Sequence, residues 1–181
     1  MDNISLKALA KINLGLDVVR RRDDGYHEVR MIMQTINLFD RLEIKKIKES
    51  AIKIHTNLFF LPVNENNLVY KAAKLLIDEF GIQEGVSVGL TKKIPVAAGM
   101  AGGSTDAAAM LFGMNRLFGL GLSKKQLMER GVKIGADVPY CIMRGTALAE
   151  GIGDKLSPLP AMVKCPVLIA KPQISVSTKF V

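Results

Sequence analysis

The segment Lys92-Lys93-Ile94-Pro95-Val96-Ala97-Ala98-Gly99-Met100-Ala101-Gly102-Gly103-Ser104-Thr105-Asp106 constrains this chain more than any other. Upstream, Val86, Val88 and Leu90 alternate as in a strand, which Pro95 must end. Downstream, Ala107-Ala108-Ala109-Met110-Leu111-Phe112 is a strong helix former. Strand, small-residue loop and helix therefore follow one another directly. Lacking Cβ atoms, Gly99, Gly102 and Gly103 let the backbone turn sharply and present successive N–H groups to an anion. A helix starting near Ser104 adds unpaired donors and the positive end of its dipole, and Ser104 and Thr105 add hydroxyls for a phosphate. The pattern is neither G-x-x-x-x-G-K-[ST], since no Lys precedes Ser104, nor G-x-G-x-x-G. Close helix–strand packing alone would use some of these glycines; a bound polyphosphate also accounts for the loop's length.

Around this segment the chain reads as α+β. Ile12, Leu14, Leu16 and Val18 alternate with Asn13, Gly15 and Asp17, the mark of a half-buried strand. Arg22-Asp23-Asp24-Gly25 is turn chemistry, and Val29 to Ile36 forms another strand. Leu42-Glu43-Ile44 and Ile52-Lys53-Ile54 alternate again, which suggests an antiparallel meander. Asn67 caps a helix whose apolar face is Leu68, Ala72, Leu75, Leu76 and Phe80, with Gly81 as its stop. Ser123 and Gln126 make a capping box for a helix from Lys124 to about Ile134. Strand-like pieces follow at Tyr140 to Met143 and Thr146 to Ala149. Pro158-Leu159-Pro160 reads as a boundary, and Val167-Leu168-Ile169-Ala170 as a buried strand opening a second unit. The expected fold is a mainly antiparallel sheet with helices on one face, residues 1–158 forming one domain and 159–181 the start of another.

Composition narrows the functional classes. Of 181 residues, 49% are hydrophobic and 23% charged, which excludes a disordered or collagen-like chain. No apolar run approaches a membrane span, and the first residues lack a secretory pattern, so a cytoplasmic protein with no membrane partner is expected. Cys141 and Cys165 read as two reduced thiols. The net charge of +8 fits either nucleic acid or a small anionic substrate. Acids interrupt the basic runs at Arg20-Arg21-Arg22 and Lys45-Lys46-Ile47-Lys48, aromatics are 6% and Trp is absent, so a small anion is favoured over nucleic acid.

Pro95 to Thr105 resembles, across its length, the phosphate loop of the GHMP kinases, the superfamily of galactokinase, homoserine kinase and mevalonate kinase. Ala10-Lys11-Ile12-Asn13-Leu14, Asp24-Gly25-Tyr26-His27 and Gly135-Ala136-Asp137-Val138-Pro139 are similar to motifs of one branch, and Glu65 to Val69 is a looser match to a segment near the adenine. The resemblance implies a ribosomal-protein-domain-2-like N-terminal domain followed by a ferredoxin-like one. It implies ATP and Mg²⁺ as cofactors, with no protein ligand assigned to the metal. It also implies transfer of the γ-phosphoryl group to the 2-hydroxyl of a cytidine-diphosphate-linked methylerythritol in the non-mevalonate isoprenoid route.

By the same resemblance Pro95, Val96, Ala97, Ala98, Gly99, Met100, Ala101, Gly102, Gly103, Ser104 and Thr105 wrap the ATP phosphates, and Asn67 and Leu68 lie near the adenine. Asp137 becomes the base and Lys11 its charge-stabilising partner; Asn13, Tyr26 and His27 contact the substrate, the last two at its cytosine. The alternatives are another kinase of the superfamily, acting on homoserine or mevalonate, and a non-catalytic RNA- or nucleotide-binding module. No oligomeric state is implied.

Overall fold

A computed structural model describes residues 2–23, 25 and 27–171. The turn chemistry after Arg21 closes a long hairpin between β1 (Asn3–Arg21) and β2 (His27–Ile47), with the Gly25 N–H donating to the Arg22 carbonyl at 3.1 Å. Their antiparallel register runs from Asn3↔Lys45 to Arg21↔His27 and is shifted three times, once between Leu9 and Lys11. The hairpin is followed by β3 (Ile52–Thr56), α1 (Leu68–Phe80), β4 (Gly85–Thr91) and α2 (Gly102–Leu117). Beyond these come α3 (Lys124–Val132), α4 (Val138–Met143), β5 (Thr146–Glu150) and β6 (Lys155–Pro158).

β2 is the spine of the sheet. It pairs with β1 along nearly its whole length, with β4 over Arg41 to Ile47 and with β5 over Met31 to Gln34. Strand order along the main path is β3-β4-β2-β5-β6. Helices cover one face: Ala107, Met110, Leu111 and Met114 of α2 and Val69, Ala72, Ala73 and Leu76 of α1 join Leu42, Ile44, Val86 and Val88 in one buried cluster. This is the α+β layer arrangement the patterning implies.

Local differences have physical causes. Leu42 to Ile44 is part of β2, and β3 runs parallel to β4 instead of forming a meander, because α1 crosses over between them. The buried face of α1 is Val69-Ala72-Ala73-Leu76, one position round from the expected stripe, and Phe80 is exposed. Asn67 and Gly81 cap it as expected, and the Ser123–Gln126 box opens α3. Tyr140 to Met143 is helix, not strand: a short apolar run fits either, and Pro139 in the first turn favours a helix start.

In β1 every residue from Asn13 to Arg21 is exposed, including Leu14, Leu16 and Val18. Val167 to Ala170 is likewise exposed and not a strand among the described residues. β6 does end at Pro158, after which no regular element follows up to Lys171. Among the described residues no helix is long and apolar enough to cross a membrane.

Candidate active site

The small-residue loop takes up left-handed backbone at alternate positions. Ala97 (φ 55°), Gly99 (φ 69°) and Ala101 (φ 55°) are left-handed, whereas Val96, Ala98 and Met100 between them are not. Alternating handedness turns successive N–H groups toward one point. Gly99 adopts this conformation freely; Ala97 and Ala101 do so against a steric cost of about 1 kcal/mol each, strain of the kind stored at functional sites.

Such a geometry must be held from outside. Met100 is buried with Ala10 and Ile94, and its carbonyl accepts the Lys11 N–H at 3.1 Å. α2 begins at Gly102, two residues earlier than expected, and no side chain caps it, so the amides of its first turn remain for a ligand. Loop and helix start border a cavity of about 690 Å³.

Lys11 and Asp137 meet at this cavity. The Lys11 ammonium lies 3.7 Å from Asp137 Oδ2 and donates to Asn13 Oδ1 at 3.2 Å. Its side chain is 7% exposed and that of Asp137 34%, so the lysine is fixed within the wall while the carboxylate stays reachable. Asp137 is the N-cap of α4 but makes no side-chain capping bond, which leaves its oxygens for Lys11 and for a ligand. Nearby, burial pushes the Cys141 thiol and the Tyr140 hydroxyl up to about 12, so both stay protonated. Tyr140 is further tied to Thr35 and to the Gly145 carbonyl. A nest, an ammonium and an accessible carboxylate around one space can hold a polyphosphate tail beside a hydroxyl and take up that hydroxyl's proton.

Pro95 to Ser104 all border the cavity, as do Asn67 and Leu68. The Asn67 amide is already committed, accepting from Val69 N–H and donating to the Pro62 carbonyl, so it shapes the wall and has no free end. Thr105 does not face the cavity: it is buried, its hydroxyl lies at Cys141, and its N–H is spent on the Ala101 carbonyl. His27 is exposed opposite Arg21, and the strand from Thr35, the partner of Lys11, to His27 is about 26 Å long. The structure does not bring His27 to Lys11 and Asp137; Tyr26 lies outside the described residues.

One group of residues was not anticipated. Lys92, beneath the loop, donates to both Asp40 and Asp106, the latter at 2.6 Å, and all three side chains are buried. Asp40 Oδ1 also accepts the N–H groups of Lys93 and Ile94, where the loop begins. The only trace in the sequence is an acid, Asp106, set against an alanine run.

An antiparallel-dominated sheet with one helical layer, an uncapped helix behind the small-residue loop, and a lysine–carboxylate pair at the loop's mouth thus surround one cavity. Residues 67–145 match the family described as "GHMP kinases N terminal domain". It is 63% identical over its full length to the 4-diphosphocytidyl-2-C-methyl-D-erythritol kinase of Lachnospira eligens, spanning 63% of that protein. It is 62% identical to the same-named kinase of Lachnoclostridium phytofermentans, spanning 62% of it. Among solved structures, a 4-(cytidine 5'-diphospho)-2C-methyl-D-erythritol kinase superposes with a TM-score of 0.76 at 36% identity, over 86% of this chain and 55% of that one. A homoserine kinase from Cytophaga hutchinsonii shares the fold at a TM-score of 0.68 and 20% identity, over 88% and 52% of the two chains. The chain thus spans somewhat under two thirds of the curated relatives it matches.

Proposed function

We propose that this chain is the nucleotide- and substrate-binding part of an ATP-dependent kinase that phosphorylates the 2-hydroxyl of 4-diphosphocytidyl-2-C-methyl-D-erythritol. The observation that carries the reading is the 3.7 Å Lys11–Asp137 pair at the mouth of the alternating nest. In this scheme the amides of Ala97 to Ser104 hold the β- and γ-phosphates, and the wall formed by Leu61, Pro62 and Leu68 receives the adenine. Asp137 accepts the proton of the attacking hydroxyl; Lys11 offsets the charge growing on the transferring phosphoryl group. Mg²⁺ would enter with the ATP and be held chiefly by its phosphates and water, and no step is assigned to a protein-bound metal.

The preference for the CDP-linked substrate over homoserine or mevalonate rests on the high identity to kinases named for it and on the Asp24 to His27 motif. For Tyr26 and His27 as cytosine contacts, and for Asn13 as a substrate contact, the support is motif resemblance. We place the domain boundary at Pro158, where the last strand ends. The test is ATP-dependent phosphorylation of the CDP-linked substrate, of homoserine and of mevalonate, with this chain and with a C-terminally extended form of relatives' length. Transfer only to the CDP-linked alcohol is expected; equal turnover of homoserine would overturn the assignment.

A further inference from the structure

We propose that Asp106 is a positioning residue that acts as a neutral carboxylic acid, so that the two ends of the phosphate loop are tied together through one proton at the Asp40–Lys92–Asp106 junction. The junction touches both ends of the loop. At the entry, Asp40 Oδ1 accepts the Lys93 and Ile94 N–H groups. At the exit, Asp106 belongs to α2, and Lys92 Nζ sits 3.2 Å from where a Cβ on Gly102 would stand. Two carboxylates meet at a single ammonium, and all three side chains are 3% exposed or less.

The charges do not balance unless one acid keeps its proton, and the hydrogen bonds say which. Asp40 has three donors spread over both oxygens. Asp106 has one donor on Oδ2, while its Oδ1 is buried with no partner among the described residues. A buried carboxylate oxygen left bare carries its full desolvation cost, so Asp106 is the member that remains protonated. Burial, reinforced by the neighbouring Asp40 charge and opposed by Lys92, accordingly pushes Asp106 up to about 8.

Of the groups near it, the Cys141 thiol keeps its proton through that range. Cys141 of α4 is pushed up to about 12, and the Lys11–Asp137 pair lies across the cavity as an already matched couple. Ionisation of Asp106 sets two anions against one ammonium in a buried site, and the exit of the loop is driven from its entry.

This positioning role rests, for its consequence, on the nucleotide reading given above, and the experiment separates the two. In the 181-residue chain without nucleotide, carboxyl-carbon NMR should give an Asp106 midpoint near 8, with the Lys93 and Ile94 amide shifts following the same midpoint. A midpoint below about 5, or amides that ignore the titration, overturns the proposal. In Asp106→Asn, which fixes the neutral form, those amide shifts should no longer move with pH. Binding of a non-hydrolysable ATP analogue should weaken about tenfold from pH 7 to pH 9 in the wild type, as the competent fraction falls, and be pH-independent in Asp106→Asn. An alkaline loss that persists in Asp106→Asn refutes the role of the proton. If the analogue binds at no pH, the nucleotide reading fails, and the amide shifts still decide the positioning role.

Discussion

At the scale of single residues, two charge clusters border the cavity, and they differ in what they leave exposed. In the Lys11–Asp137 pair the carboxylate is 34% exposed and can meet an incoming hydroxyl. Asp137→Asn keeps the size of the side chain and removes the basic oxygen. Turnover of the CDP-linked substrate should fall at least about 100-fold while binding of an ATP analogue survives, measured by steady-state kinetics beside calorimetry.

The buried cluster instead affects stability. Burial pushes the Asp106 carboxyl up to about 8 in the fold, against about 4 for an ordinary aspartate, so the native state holds a proton that the unfolded chain releases between those values. Stability is therefore greatest below the lower value, falls as pH rises through that window and levels off above about 8. The slope from this group approaches about 1.4 kcal/mol per pH unit. Urea unfolding at several pH values between 5 and 8 should show Asp106→Asn gaining on the wild type as pH rises; parallel curves would refute the shift. Lys11 and Asp137 were legible only through their motifs. Lys92 and Asp40 were not legible at all, because a lysine beside Lys93 looks like a solvated pair and its acid partner stands 52 residues away.

Among the elements, helix entries do the most to shape the cavity. Asn67 closes the first turn of α1 by accepting from Val69 N–H at 2.9 Å and pins the preceding loop by donating to the Pro62 carbonyl at 2.7 Å. Asn67→Ala removes both bonds and leaves a buried N–H unpaired. A loss of about 1–2 kcal/mol is expected in chemical denaturation, together with weaker nucleotide-analogue binding, since Pro62 and Leu68 border the same cavity. Unchanged stability would mean that the cap contributes nothing here. The caps at Asn67 and Ser123 were readable because a cap is a local rule linking neighbours in sequence. The α4 helix was not, because its six residues are too few to show a period. Nor could the parallel pairing of β3 with β4 be read, since it depends on which strand α1 returns beside.

For the whole molecule, periodicity was enough to give the α+β class, but which faces are covered was hidden. Leu14, Leu16 and Val18 alternate like core residues and stand exposed, because alternation reports a strand and not what packs on it. The overall charge raises the same question of what it faces. A surplus of +8 suits an RNA-binding module only if it is concentrated, and several of the exposed cations stand beside an acid instead of in an unbroken basic patch. Arg20 pairs with Glu28, Arg30 with Glu150, Lys46 with Glu84, Lys74 with Asp78 and Arg130 with Glu79. In the proposed function the loop, by contrast, would hold phosphate through neutral amides, which release few counterions. RNA held by scattered cations should then lose affinity steeply with salt, roughly 100-fold or more between about 50 and 200 mM, while an ATP analogue loses only a few-fold. Parallel titrations of an oligoribonucleotide and the analogue across that range decide between the two. RNA binding that stays tight at physiological salt, with the analogue failing to compete, would replace the kinase reading with the binding-module one.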